Sequence, residues 1–174
     1  MNESSIRALV LDVDGVLTDG RLWYGPQDEP LRAFHVHDGL AIAQFIKLGG
    51  VVIILTAKSS QAVARRAVDL GIPHVIQGSA DKLADLRVLL AKLGISLAET
   101  AMIGDDLPDL AAMRAVGWPI AVANAAAEIK AVARIVTNTR GGKGGVREAL
   151  ETLLRRDGRW QQAVEKYGGT PTVQ

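Results

Sequence analysis

The sequence predicts one α/β domain built on a doubly wound parallel sheet with helices on both faces. Short apolar runs rich in Val and Ile alternate with segments of helical pattern along most of the 174 residues. These runs are apolar on both faces, as strands covered by helices on both sides must be. Alternation of this kind favours right-handed β-α-β crossovers, and the length suffices for one domain, residues 1–174, with a substantial core.

Six segments are predicted to be the strands of this sheet. In chain order they are IRALVLD from residue 6, VVIILTA from 51, HVIQG from 74, TAMIGDD from 100, PIAVAN from 119 and ARIVTN from 133. The helical segments between them have recognisable ends, since residues 59–71 begin with serine and end at Gly71, and residues 80–94 end at Gly94. Near the end of the chain, a glycine-rich loop leads into an amphipathic helix, TRGGKGGVREALETLLRR.

One segment interrupts the alternation after the first strand. Residues of about 21–36 contain two strand-like runs around the turn-rich GPQDEP, which predicts an inserted β-hairpin. It carries Trp23, Tyr24 and Phe34 in a chain whose aromatic content is only 4%. Such a flap either packs against a partner subunit or over a site, or it packs on its own domain, and the sequence leaves both open. The polar tail of about 168–174 is predicted to be mobile.

Composition excludes several classes of function. The formal net charge of +1 gives no general electrostatic reason to bind nucleic acid or a membrane surface. The absence of cysteine removes disulfides, thiolate metal sites and cysteine nucleophiles. The first residues lack the apolar core of a signal peptide, and no apolar run approaches the roughly 20 residues of a membrane span. We therefore expect a cytoplasmic protein.

Polar side chains follow the ends of four predicted strands, where ligands bind in open α/β sheets. Asp12 and Asp14 follow the first strand, Thr56 ends the second, and Lys82 opens the helix after the third. The fourth strand runs into IGDDLPD, which supplies three more carboxylates: Asp105, Asp106 and Asp109. Because these strand ends meet at one edge of the sheet, we expect the side chains to converge there.

Several carboxylates at one edge need a cation, and a site of oxygen ligands without His or Cys favours a hard metal, Mg²⁺ before Ca²⁺. A threonine hydroxyl and a lysine are suited to a phosphoryl group. Together they indicate phosphoryl transfer, in which an aspartate can itself attack phosphorus and form an acyl phosphate. A second acid two residues further on, as Asp14 is from Asp12, lies on the same side of the strand and is placed to protonate the leaving oxygen and then activate water.

These residues resemble the four motifs of the haloacid dehalogenase superfamily of phosphohydrolases. Within it, the chain is similar to the small, capless 3-deoxy-D-manno-octulosonate (KDO) 8-phosphate phosphatases. The resemblance extends from Leu9 to about Leu154 and rests on five stretches: DVDGVLTDG, the hairpin running into FHVHDG, LGIPHVIQGSADK, IGDDLPD and GGKGGVRE. It implies a Rossmann-like sheet without a cap domain.

The resemblance implies a role for each motif residue. Asp12 is the nucleophile and Asp14 the general acid/base, while Thr56 and Lys82 hold the phosphoryl group. Mg²⁺ is bound by Asp12, by the main-chain carbonyl of Asp14 and by Asp105. Asp109 supports these residues from behind. Of the aspartates in DVDGVLTDG, only Asp19 is left without a role in catalysis. Because it lies past the glycine turn, we expect Asp19 to be a turn or hairpin residue.

The resemblance also implies substrate contacts and an assembly. Contacts to a sugar acid come from His35, Val36, His37, Asp38 and Gly39, from the position of Lys58 and from Arg66, in addition to Asp14 and Lys82. A glycine-rich loop around Lys143 closes over the site, and His74 matches a family histidine. The family assembles as a homotetramer in which each hairpin covers a neighbour's active site.

Three positions depart from the family pattern. Lys58 stands in TAK where these phosphatases usually have TGR, His37 stands where a basic residue is usual, and Ala43 stands where arginine is common. Lysine does not replace the two-pronged guanidinium toward a carboxylate. Two substrates therefore stay open, the eight-carbon KDO 8-phosphate and a nine-carbon relative, 2-keto-3-deoxynononate 9-phosphate or a sialic acid 9-phosphate.

Two other classes are possible. A response-regulator receiver domain also gathers acids, a threonine and a lysine at strand ends, but its phosphoacceptor follows the third strand, which here ends in VIQG without an acid. A non-catalytic tetramerisation or regulatory domain of the same superfamily could lose its nucleophile or its acid, whereas this chain keeps both. The sequence therefore favours a Mg²⁺-dependent phosphatase acting on a small phosphorylated sugar acid.

Overall fold

The computed structural model describes residues 5–26, 29–165 and 167–168. Its six strands form one parallel sheet in the order β3-β2-β1-β4-β5-β6, which confirms the doubly wound α/β prediction. The strands are β1 (Ala8–Leu11), β2 (Val51–Leu55), β3 (His74–Ile76), β4 (Thr100–Gly104), β5 (Trp118–Ala121) and β6 (Ile135–Val136). Five of them lie within runs predicted from the sequence, and β5 begins one residue before its predicted run.

Helices connect the strands, and the sequence explains where several of them begin and end. They are α1 (Val36–Lys47), α2 (Gln61–Leu70), α3 (Lys82–Leu93), α4 (Leu110–Ala115), α5 (Ala127–Val132), α6 (Gly145–Arg156) and α7 (Trp160–Glu165). The Ser60 hydroxyl caps α2 and the Asp81 carboxylate caps α3. Both helices end at a glycine in the left-handed region, where a side chain would be strained.

The strand order places the site. The chain moves outward from β1 to β3 and then returns to the other side of β1 with β4, so the connections diverge between these two strands. Leu11 pairs with Ile54 of β2 and Ile103 of β4, which brings the ends of three strands together. Ligands bind outside such a switch point in open α/β sheets.

The core lies on both faces of the sheet. All residues of β1 and β4 are buried, as the unbroken apolar runs predict. Phe45 of α1 and Leu86 of α3 contribute large side chains that are almost completely inaccessible. Each such side chain contributes about 1.5–3 kcal/mol by leaving water, so the catalytic loops extend from a rigid base.

The inserted segment is only partly a hairpin. Its described residues contain one antiparallel bridge, between Trp23 and Leu31, rather than two paired strands. The side chains of Trp23 and Tyr24 are 62% and 80% exposed, whereas Phe34 packs against the core. Within the single chain the two leading aromatic side chains are therefore mostly exposed to solvent, and the tip at residues 27–28 lies outside the described residues.

The end of the chain differs from expectation. Helix α7, Trp160–Glu165, lies in a stretch whose sequence showed only a gradual loss of apolar pattern. It forms because Trp160 packs on the core and receives the guanidinium groups of Arg147 and Arg155 over its ring. The predicted mobile tail lies outside the described residues, apart from Gly168.

Within the described ranges, no helix combines the length and the apolar character needed to cross a membrane.

Candidate active site

A cleft of about 190 Å³ lies at the carboxyl edge of the sheet, and the motif residues line it. The loops after β1, β2 and β4 and the start of α3 contribute its walls. The lining residues are Asp12, Asp14, Thr56, Ala57, Lys58, Lys82, Asp105, Asp106, Pro108 and Asp109. The structure thus brings together every residue predicted for catalysis and metal binding, and it adds Lys58.

Lys82 is the central cation of this cleft. Its Nζ lies 2.7 Å from Asp12 Oδ1 and 2.6 Å from Asp109 Oδ1, and its side chain is buried. As the first residue of α3, it places a positive charge at the unfavourable end of the helix dipole. The two carboxylates offset this cost and raise the pKa of Lys82, although burial acts against them. Lys82 is therefore charged and held in place.

Both carboxylate oxygens of Asp109 accept hydrogen bonds from other residues of the cleft. Its Oδ1 accepts from Lys82, and its Oδ2 accepts from the backbone N–H of Asp105 at 3.0 Å. A side chain at Gly104 would press on this carboxylate, because its Cβ would lie 2.7 Å from Oδ2. Both oxygens are therefore occupied, and the supporting role of Asp109 stays a prediction.

The carboxylates present suit a hard cation. Oxygen atoms of Asp12, Asp105 and Asp109 lie within 4.8 Å of one another. Asp105 Oδ1 is buried without a hydrogen-bond partner, and Lys82 engages only Oδ1 of Asp12. An unpartnered carboxylate oxygen in a buried position is costly, and a divalent cation would remove that cost. Asp12 and Asp105 therefore have oxygens available to a metal ion.

The turn after β1 is shaped for close approach to Asp105. Gly15 has a φ of +102°, and a Cβ there would lie 1.9 Å from Asp105 Oδ2. The Asn124 amide donates to the Gly15 carbonyl at 3.0 Å and accepts from the Gly141 N–H at 2.7 Å. Asn124 thereby joins the catalytic turn to the glycine-rich loop. The sequence reasoning missed it, because an isolated asparagine after a strand carries no distinctive spacing.

Arg32 is a second residue that the sequence reasoning missed. Its Nε donates to Asp14 Oδ1 at 2.8 Å and its Nη2 lies 3.4 Å from Asp14 Oδ2. The Arg32 side chain is only 3% exposed, whereas that of Asp14 is 21% exposed. A lone arginine after a turn-rich stretch gives no signal of this contact, because it spans 18 residues of sequence.

The predicted sugar-acid contacts form a second group outside the cleft. His35 and Asp38 approach to 3.9 Å, and Asp38 accepts from the backbone N–H of Arg147 at 2.7 Å. Burial raises the pKa of Asp38 above its ordinary value. Arg66 lies against Gly39, since a Cβ there would be 2.3 Å from its Nη2. Val36 is exposed.

Lys143 and His37 line a different cavity, of about 430 Å³, along α6. The Lys143 side chain is 62% exposed, and its Nζ lies 3.7 Å from Asp19. Asp19 also accepts from the backbone N–H of Arg21, which confirms the turn role expected for it. His74 is the first residue of β3, at the edge of the sheet. Of the substrate contacts predicted in addition to the catalytic residues, therefore, only Lys58 lines the catalytic cleft of the single chain.

Crowding of carboxylates predicts a pH-dependent stability for the metal-free protein. Burial, followed by repulsion from Asp12 and Asp109, raises the pKa of Asp105 to about 7. Burial, followed by repulsion from Asp109, also raises the pKa of Asp12. Since the folded chain then binds protons more tightly than the unfolded chain, the resulting stabilisation is complete below about pH 4 and is lost as pH rises to about 7.

With chelator present, we expect the melting temperature to fall between pH 5 and pH 8, with a contribution from Asp105 of roughly 5 °C. Mg²⁺ should raise the melting temperature more at pH 8 than at pH 5, because the ligands must be deprotonated. Thermal unfolding of the wild type and of Asp105→Asn measures both effects. The prediction would be contradicted if the melting temperature changed equally with pH in the two proteins and rose equally when Mg²⁺ was added.

The comparisons with known proteins agree with this geometry. A family model described as haloacid dehalogenase-like hydrolase matches residues 69–150. The 3-deoxy-D-manno-octulosonate 8-phosphate phosphatase of Salmonella typhi is 41% identical over 159 residues, which are 91% of this chain and 85% of that protein.

Solved structures share the fold closely. That of the 3-deoxy-D-manno-octulosonate 8-phosphate phosphatase from Moraxella catarrhalis, in complex with magnesium, phosphate and KDO, has a TM-score of 0.90. It is 41% identical, with 93% of each chain covered. The cobalt-bound form of the corresponding phosphatase from Haemophilus influenzae has a TM-score of 0.88 and 36% identity over 92% of this chain and 97% of that one.

Proposed function

This chain belongs to the 3-deoxy-D-manno-octulosonate 8-phosphate phosphatase family of haloacid dehalogenase-like hydrolases. We therefore propose that it is a Mg²⁺-dependent phosphatase that hydrolyses KDO 8-phosphate to KDO and phosphate. The observation that carries the proposal is the pairing of Lys82 with Asp12 and Asp109 beside the unpartnered oxygen of Asp105. Phosphoryl transfer to an aspartate requires a buried nucleophile, here Asp12, and a fixed positive charge, here Lys82. It also requires a carboxylate oxygen that is available to a metal ion, here that of Asp105.

In the first half-reaction, an Asp12 carboxylate oxygen attacks the phosphorus. The bond from phosphorus to the C8 oxygen of the sugar breaks, and Asp14 gives that oxygen its proton. Lys82 and the Thr56 hydroxyl stabilise the phosphoryl oxygens. Asp12, the main-chain carbonyl of Asp14 and Asp105 would hold Mg²⁺, which would supply positive charge to the same oxygens. The product is the free sugar acid and a phosphorylated Asp12.

In the second half-reaction, Asp14 takes a proton from a water molecule that attacks the same phosphorus. The bond between phosphorus and the Asp12 oxygen breaks, so Asp12 is regenerated and inorganic phosphate leaves. The Asp14 side chain serves as acid in the first half-reaction and as base in the second, so its position relative to the cleft matters in both.

The size of the cleft supports a site shared between subunits. Its volume of about 190 Å³ is below the roughly 300–1,000 Å³ of small-molecule pockets, so it suits the phosphoryl group and a cation. The sugar acid would extend beyond the cleft, and its binding there needs a further protein surface. Exposed Trp23 and Tyr24 on the inserted segment are suited to supply that surface for a neighbour, as part of a homotetramer. Sedimentation equilibrium tests the assembly, and a mass of 18.5 kDa would contradict it.

A steady-state substrate panel tests the proposed function. We expect kcat/KM for KDO 8-phosphate to exceed that for hexose phosphates by at least about 100-fold, because contacts to the acid end of the substrate are lost with a hexose. Nine-carbon 9-phosphates form the decisive comparison, since Lys58, His37 and Ala43 differ from the family pattern. A preference for the nine-carbon substrate would reassign the sugar acid, and a preference for hexose phosphates would refute a sugar-acid substrate altogether.

A further inference from the structure

The inserted segment reaches the catalytic cleft through a buried cation. Arg32 follows Leu31, whose backbone pairs with Trp23 in the antiparallel bridge, and the bridge directs the arginine inward. Leu31 is exposed on the outside, whereas the guanidinium group is almost completely buried. Burying an arginine is costly unless charges and hydrogen bonds compensate, so its partners identify its purpose.

The carboxylate partner of Arg32 is Asp14, the residue assigned to proton transfer. The contact is two-pronged but uneven, with Nε at 2.8 Å from Oδ1 and Nη2 at 3.4 Å from Oδ2. Oδ1 is therefore firmly held, while Oδ2 keeps hydrogen-bonding capacity toward the cleft. Among the described residues, Arg32 is the one side chain that donates to this carboxylate.

Arg32 is itself held from behind. Its Nη1 lies 3.2 Å from the Ser60 hydroxyl, which caps α2 and donates to Glu29 at 2.5 Å. Glu29 belongs to the same inserted segment, so the segment is tied to the start of α2 at two points. Asp14 lines the cleft but Arg32 does not. Arg32 thus contacts the carboxylate from outside the cleft.

We propose that Arg32 is a positioning residue for Asp14, fixing the carboxylate at the angle from which it protonates the leaving oxygen. The inference rests on the proposed function, which assigns proton transfer to Asp14. Arg32 cannot supply the proton, because a guanidinium group does not give one up in proteins. Arg32 instead orients the Asp14 carboxylate, and that orientation is lost when the guanidinium group is removed, even though Asp14 is still present.

The test compares substrates that differ in their need for a proton on the leaving oxygen. A sugar alkoxide must be protonated as it leaves, whereas p-nitrophenolate is a stable anion. In single-turnover experiments with Arg32→Gln, we expect release of the sugar from KDO 8-phosphate to slow by roughly 10–100-fold. Release of p-nitrophenol from p-nitrophenyl phosphate should slow by less than about 3-fold. Arg32→Lys should recover part of the sugar release, since one positively charged donor group remains, without the fork geometry.

Two further variants separate the possible outcomes. Asp14→Asn should show the strongest dependence on leaving group, and Arg65→Gln, an exposed arginine on α2, should show none. If Asp14→Asn is selective but Arg32→Gln slows both substrates equally, the positioning role is wrong while the proposed function stands. If Asp14→Asn slows both equally, proton transfer by Asp14 is wrong. If Arg32→Gln does not fold, Arg32→Lys carries the same comparison, and equal slowing of both substrates then refutes the role.

Discussion

Asp12→Asn is expected to abolish turnover, with kcat reduced by at least about 10⁴-fold. An amide is a far weaker nucleophile toward phosphorus than a carboxylate, and the substitution also removes one charge from the cation site. The loss should be equal for sugar phosphates and aryl phosphates, because both need the same attacking atom. Phosphate release measured with each substrate gives the two rates.

The fold should survive this substitution, and that distinguishes a chemical loss from a structural one. Asp12 is buried beside Asp109, and both burial and that neighbour disfavour its charge. Asn keeps the shape of the side chain and removes the repulsion, and Lys82 keeps its ion pair with Asp109, so the melting temperature should be unchanged or slightly higher. The mass in solution should also be unchanged. Appreciable turnover by a correctly folded Asp12→Asn protein would rule out the covalent mechanism.

Lys82→Met is expected to have the largest effect on stability. It leaves Asp12 and Asp109 buried without the cation that lies 2.7 and 2.6 Å from them. Removing one partner from a buried ion pair typically costs about 3–5 kcal/mol. For a chain of this length the melting temperature should fall by about 10 °C. Activity should be lost as well, because the phosphoryl group loses its fixed positive charge.

A second substitution and a matched control make this prediction specific. Lys82→Met combined with Asp109→Asn should recover part of the melting temperature, because one of the two uncompensated charges is removed. Lys92→Met changes an exposed lysine in the last turn of the same helix and should shift the melting temperature by less than about 2 °C. No recovery in the double variant would mean that the effect of Lys82 does not act through these carboxylates.

The catalytic residues were predictable because each follows a strand whose boundaries the sequence reveals. Asp12, Thr56 and Asp105 come directly after the largely buried strands β1, β2 and β4, and parallel strands end at one edge of a sheet. Lys82 follows the capping residue Asp81, so its place at the start of α3 could also be inferred. The physical basis is local in each case, and the fold then brings local features together.

Arg32 and Asn124 were not predictable, because their importance lies entirely in contacts between distant segments. Arg32 reaches Asp14 across 18 positions, and Asn124 reaches Gly15 across 109. Neither residue belongs to a periodic pattern or a spaced motif. Helix α7 was missed for a similar reason, since Trp160 gains its stability from α6 and the core rather than from its own few residues.

By itself, the sequence determined the fold class, the edge of the sheet that carries the chemistry and the identity of the acids, the threonine and the lysine. It could do so because strand burial and helix ends are properties of short segments. Only the tertiary structure decided which carboxylate oxygens are already engaged and which are available to a cation. It also decided that the inserted segment sends one buried arginine to Asp14 while Trp23 and Tyr24 stay exposed. Hydrogen bonding and burial depend on residues that are far apart in the chain, and folding alone makes them neighbours.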